Sequence, residues 1–178
     1  MKAFVSIVTT PGEFYTVQRK LKKLWPTRKF NPEILDFDVV VGFCDIIVEV
    51  SVKDTKELLE KVLDKLMKIP EISVLRTFIS IIEPAPSTPA KKTEEVTTGY
   101  VFINVVPEKA RDVLKSLLEI SGVTSADLIL GEYDIVAKST VPLYLLPDKI
   151  SDMQKVDGVK RSVTCIPVSV IKRFSPKG

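Results

Sequence analysis

The chain has 178 residues, 45% apolar and 28% charged, with a formal net charge of +3, ordinary values for one globular domain or two small ones. Residues 1–82 carry 13 basic and 11 acidic side chains and residues 99–178 carry 11 and 9, so neither half has the basic footprint of a dedicated nucleic-acid binder. Histidine is absent, which removes the commonest general base, the usual zinc ligand and every Ser-His or Cys-His nucleophile system.

In chain order, Ala3–Thr9 is β-branched enough to be a strand and is stopped at Pro11-Gly12. Phe14, Val17, Leu21 and Leu24 then recur at helical spacing, and the helix ends at Trp25-Pro26, where proline disfavours helical geometry in the residue before it. Leu35–Val41 and Cys44–Val52 are two strands expected to meet in a tight hairpin at Gly42-Phe43. Asp54 is placed to cap a helix carrying Leu58, Leu59, Val62, Leu63, Leu66 and Met67 on one broad face. Ile72–Ile82 is a last strand.

Residues 83–98 include Pro84, Pro86 and Pro89 and read as a semi-extended linker. Beyond it the order repeats. Tyr100–Val106 is a strand, Pro107–Ile120 a helix, Ser125–Leu130 and Asp134–Thr140 a hairpin, Pro147–Lys155 a helix and Val159–Ile171 a strand. No apolar run approaches the roughly 20 residues that span a membrane, and the apolar start, Met1 to Val8, is too short for a signal peptide. A cytoplasmic protein is expected. Cys44 and Cys165 fall at non-equivalent points of the repeat and read as buried small hydrophobes, not a disulfide framework.

The repeat is visible in the residues themselves. Phe4-Val5-x-Ile7-x-x-x-Pro11 matches Tyr100-Val101-x-Ile103-x-x-x-Pro107, and Val39-Val40-Val41-Gly42-Phe43-Cys44-Asp45 matches Leu128-Ile129-Leu130-Gly131-Glu132-Tyr133-Asp134. A spacing near ninety residues is too long for a solenoid unit; it is one small domain written twice. The expected fold is α+β: two ferredoxin-like βαββαβ domains in tandem, 1–82 and 99–178, of dimeric α/β-barrel type. Tyr100, Phe102 and Asn104 alternate with Val101, Ile103 and Val105, so both faces of that strand are substantially apolar. A four-stranded sheet covered by helices on one face should be polar on the other. Another sheet is therefore expected to pack there, from the other half or from a second chain, which makes the protein a candidate homo-oligomer.

The strand Tyr100–Val105, the hairpin Leu130-Gly131-Glu132-Tyr133-Asp134-Ile135-Val136 and the stretch Val156-x-Gly158-Val159-x-x-Ser162-x-Thr164 resemble the effector-sensing (RAM) domain of the Lrp/AsnC regulators. The resemblance covers the second half and, more faintly, the first. It implies a domain that assembles through its sheets and binds an amino acid or similar effector where domains meet. A first strand at Ala3 leaves no room for the family's DNA-reading domain, so a stand-alone tandem sensor is expected, without direct nucleic-acid or membrane binding. It would act in transcriptional or metabolic regulation, and docking onto a DNA-binding relative is one possible partnership.

Carried onto this chain, the ligand site would comprise Gly131, Glu132, Tyr133, Asp134, Ser162 and Thr164, with Gly42, Asp45 and Thr77 as first-half counterparts. A glycine that adopts positive φ exposes backbone amides suited to a carboxylate. Aspartate could pair with an ammonium group, or it could only bond backbone amides. Ser162 and Thr164 point the same way from one strand and could hydrogen-bond a zwitterion. Asp134→Ala and Thr164→Val are expected to weaken binding and leave the fold intact. The first half has Cys44 where the second has Tyr133, and Leu75 where it has Ser162, so the second half is the expected binding copy.

Neither cofactor nor metal is expected. An ACT-like regulatory domain shares the element order, but Val106-Pro107-Glu108 lacks the glycine seen in Thr10-Pro11-Gly12. An enzyme on the same scaffold would have to use carboxylates, tyrosine or cysteine. Glu132, Tyr133 and Asp134 are neighbours on an extended chain and face alternate sides, so catalysis is not expected. Arg19, Lys20, Lys22 and Lys23 read as the solvated face of an amphipathic helix.

Overall fold

The computed structural model describes residues 1–25, 34–82 and 96–168. They fall into two compact units, the first formed by Met1–Val40 and Cys44–Ile79, the second by Val41–Phe43 and the chain from Ser80 onward.

In the first unit, strand β1 (Lys2–Thr9) leads to helix α1 (Phe14–Leu24), then β2 (Ile34–Val41) and β3 (Ile46–Ser51). A helical run follows, made of α2 (Thr55–Leu58), a π-helical turn (Leu59–Leu63) and α3 (Asp64–Leu66), before β4 (Ile72–Ile82). The strands pair antiparallel, β2 with β3, β3 with β1 and β1 with β4. α1 is amphipathic and buries Val17 and Leu21, and the Trp25 amide still bonds the Leu21 carbonyl at 2.8 Å as the helix ends. Asp54 caps α2 as expected, its carboxylate accepting the Glu57 amide at 2.8 Å.

The broad apolar face expected of that helix is narrower. Leu58, Val62 and Leu66, four residues apart, are buried, whereas Leu59 and Met67 are 46% and 59% exposed. Each exposed residue sits one position past the buried row, rotated about 100° around the axis. The π-helical turn was not legible in the sequence.

The second unit repeats the plan. β5 (Val96–Val105) leads through a 3₁₀ turn (Pro107–Lys109) into α4 (Ala110–Glu119). β6 (Val123–Leu130) and β7 (Ile135–Pro142) follow, then a second 3₁₀ turn (Leu143–Leu145), α5 (Leu146–Gln154) and β8 (Val159–Pro167). Pairing is again antiparallel, β6 with β7, β7 with β5 and β5 with β8. β5 starts earlier than expected. Val96, Thr97 and Thr98, at the end of the expected linker, are strand residues opposite Pro142, Val141 and Thr140. The remainder of that linker, 83–95, lies outside the described residues, as do 26–33 and the expected continuation of β8 beyond 168.

The helix side of the second sheet packs Val101, Ile103 and Val105 of β5 with Val113, Leu114 and Leu117 of α4 and Met153 of α5. Alternation places Tyr100 and Phe102 on the other side, and they too are buried, like Phe4 and Phe78 in the first unit.

Two register shifts recur at matching points of the two units, one between Ile34 and Asp36 and between Val123 and Ser125, the other a β-bulge between Val8 and Thr9 and between Asn104 and Val105. A bulge releases an amide from regular pairing. In both cases an aspartate takes it: Asp45 Oδ2 accepts the Thr9 amide at 2.7 Å and the Thr9 hydroxyl at 2.9 Å, and Asp134 Oδ2 accepts the Val105 amide at 2.9 Å.

Candidate ligand site of the second unit

Gly131–Asp134 connects β6 to β7, and the Ile129 amide closes the turn on the Asp134 carbonyl at 2.8 Å. Gly131 has φ +153°, consistent with the backbone freedom expected of it. Its counterpart Gly42 does not adopt positive φ. Gly42 is needed for close approach instead, since a Cβ there would lie 2.5 Å from Cys165 Sγ and 2.8 Å from the Thr164 carbonyl oxygen. The hairpin expected to turn at Gly42-Phe43 is a four-residue connection running to Asp45, whose carbonyl accepts the Val40 amide.

Tyr133 turns inward and is 4% exposed. Its ring centroid lies 5.4 Å from Phe102 and 5.5 Å from Phe43, and Phe43 meets Phe102 edge-on at 4.9 Å. These three rings form an apolar floor beside the hairpin. Above it, the Arg161 guanidinium sits 5.9 Å from the Tyr133 centroid. Arg161 Nε donates to Asn104 Oδ1 at 2.9 Å, and Asn104 Nδ2 donates to the Glu132 carbonyl at 2.9 Å. Asn104 and Arg161 are direct partners across β5 and β8.

The sequence-expected residues do not all converge. The Glu132 carbonyl and the Tyr133 ring lie beside the Asn104–Arg161 pair. The Asp134 carboxylate is engaged by the Val105 amide, so Asp134 holds the hairpin to β5, and Asp134→Ala is expected to cost stability as well. Ser162 and Thr164 pair with Ile103 and Val101 and therefore share the helix-covered face, opposite to Phe102 and the Tyr133 ring. Ser162 Oγ there meets Gln154 Nε2 of α5 at 2.9 Å. In the first unit, Thr77 pairs with Val5, the corresponding register, and Asp45 is the latch to Thr9. Arg161 and Phe43 were missed as site residues. The signal for Arg161 was its place opposite Asn104, where the first half has Val74 opposite Val8.

Among the described residues no group of three His, Cys, Asp or Glu side chains is placed to hold a metal, and no helix is long and apolar enough to cross a membrane.

The sequence profile of the Lrp/AsnC ligand binding domain matches residues 2–90. That is the half in which the resemblance looked fainter. No functionally curated protein matches the chain. Among solved structures, a hypothetical protein from Pyrococcus horikoshii is 34% identical over 46% of this chain and 90% of its own, with a TM-score of 0.38. The siroheme decarboxylase NirDL is 6% identical, covering 94% of this chain and 71% of its own at a TM-score of 0.64. A monooxygenase candidate from Fusobacterium nucleatum is 10% identical, covering 93% and 89% at 0.60.

These last two likenesses concern the fold alone, yet they correct the expectation that the chain is not an enzyme. An architecture that supports a siroheme decarboxylase is compatible with catalysis, and a missing histidine or the spacing of Glu132, Tyr133 and Asp134 is no ground for excluding it. What the sequence match settles is descent: the chain belongs to the Lrp/AsnC ligand-binding domain family.

Proposed function

We propose that the protein senses a small, amino-acid-like effector in the manner of the Lrp/AsnC regulators and passes that signal to transcriptional or metabolic partners. On this reading it is a tandem of RAM-like domains, 1–82 and 99–178, joined by residues 83–98, and the second domain binds the effector around Gly131, Glu132 and Tyr133. The observation that carries it is the hairpin itself. In a chain of this family, the turn expected to hold the effector has a buried aromatic floor beneath an anchored guanidinium.

Self-association belongs to the same proposal. Besides the sheet faces expected from the sequence, Val41 and Leu130, at equivalent ends of β2 and β6, are 56% and 57% exposed. A second copy or a DNA-binding relative would find apolar surface there.

The test is thermal melting against the twenty amino acids and common metabolites at millimolar concentration. A ligand at 100 times its Kd adds about 2.7 kcal/mol, which is several degrees for a protein of about this size. A clear hit supports sensing. A cooperative melt unmoved by every compound would overturn it.

The fold likeness to a siroheme decarboxylase favours a second reading, catalysis or binding of an iron tetrapyrrole. Titration with siroheme, followed through its visible absorbance, tests this. A saturable spectral change with turnover would favour the enzyme, and a spectrum identical to free siroheme would dismiss it.

A further inference from the structure

We propose that Arg161 is a preorganised carboxylate receptor, the anchor for the α-carboxylate of the effector; as an assignment of ligand chemistry, it rests on the sensing function proposed above. Its side chain is held at two points. Nε donates to Asn104 Oδ1, and the guanidinium plane lies over Tyr133. Asn104 is itself fixed through the Glu132 carbonyl, and Tyr133 is wedged against Phe102 and Phe43. With Nε committed, the edge bearing the two terminal nitrogens remains, and neither has a protein partner among the described residues. That fork matches the two oxygens of a carboxylate. Because the side chain is already ordered, little rotamer freedom is lost when the anion binds.

The first unit serves as an internal control. It has the same bulge, the same aspartate latch and the same four-residue connection. At the positions of Asn104 and Arg161 it has Val8 and Val74, again direct partners across two strands, and Cys44 replaces Tyr133. The fold therefore forms without any of these polar groups, which leaves their presence in the second unit unexplained by architecture. A single guanidinium beside an aromatic floor favours a monoanion. Glu132 on the same hairpin adds negative charge, which disfavours a phosphate dianion.

The experiment follows the Arg161 Nε–H resonance by NMR, assigned by its loss in Arg161→Gln, during titration with acetate against sodium chloride at equal ionic strength. In parallel, wild type, Arg161→Gln and Arg161→Lys are titrated with the twenty amino acids and with matched amines lacking the carboxylate. The expected result is a saturable shift with acetate only. The amino-acid Kd should rise by about tenfold or more in Arg161→Gln, with partial retention in Arg161→Lys, which keeps the charge and loses the fork. Melting of the unliganded variants should stay within about 1 °C of wild type, as for an exposed side chain.

If acetate saturates and no amino acid binds, the receptor stands and the amino-acid reading falls. If an amino acid binds wild type and Arg161→Gln equally, the receptor is overturned and sensing stands. A chloride-like response to acetate, with no amino-acid binding, overturns both.

Discussion

At the scale of single residues, two aspartates and one glycine carry more of the structure than the sequence suggests. Asp45 and Asp134 each accept the amide that a β-bulge frees at the end of the first strand of its unit. Removing either carboxylate leaves that amide short of a partner, at a cost of about 1–3 kcal/mol. Asp45→Ala and Asp134→Ala are both expected to lower the unfolding free energy from urea titration by that amount, with a lower midpoint, Asp45→Ala by more because it also loses the Thr9 hydroxyl bond. Equal midpoints with wild type would refute the latch. Gly42→Ala is expected to destabilise by about 1–3 kcal/mol, because its Cβ would press on the Cys165 side chain and on backbone. From sequence, Asp45 and Asp134 could be ligand groups or turn groups, and only the positions of the Thr9 and Val105 amides separate the two. Arg161 was not legible because its meaning depends on a partner fifty-seven residues away.

At the scale of elements, the order of strands and helices was legible almost throughout, since each is bounded by proline, glycine or a capping residue. β4 coincides with its expected limits, and the Asp54 cap is where the pattern put it. What local pattern could not show is which side of a helix is covered. Leu58→Ala, Val62→Ala and Leu66→Ala are expected to cost up to about 2–5 kcal/mol, as buried core truncations do. Leu59→Ala and Met67→Ala should stay within about 0.5 kcal/mol. Two ion-paired carboxylates that tie elements together also set an acid response. The Glu57 carboxyl is held below its ordinary 4.5, first by the Lys61 ammonium and then by the Lys53 amide. Glu71 is lowered in the same direction by Lys20. Both favour the charged form in the folded state. Their stabilisation is therefore present above about pH 4.5 and is lost as pH falls through the depressed folded values. Glu57→Gln with Glu71→Gln should flatten the fall in melting temperature between about pH 5 and pH 3. Solvent screening keeps the change modest.

At the scale of the whole molecule, the two units share one strand order and one latch, and they differ in the residues beside the hairpin between their second and third strands. The first carries the family's sequence profile most clearly. The second carries the polar assembly of Asn104, Glu132 and Arg161 over Tyr133. The family label was legible from short motifs of the second half, while the family profile matches residues 2–90, where Gly42-Phe43-Cys44-Asp45 stands in the corresponding turn. Of the candidate site residues, the Glu132 carbonyl and the Tyr133 ring meet Asn104 and Arg161. Ser162 and Thr164 pair with Ile103 and Val101 and lie on the opposite face, a placement that motif spacing alone does not show. The most direct test of the account is to melt wild type and Arg161→Gln side by side against the twenty amino acids. The account predicts a rise of several degrees with at least one amino acid in wild type, lost in Arg161→Gln. No rise with any amino acid, or the same rise in both proteins, would contradict it.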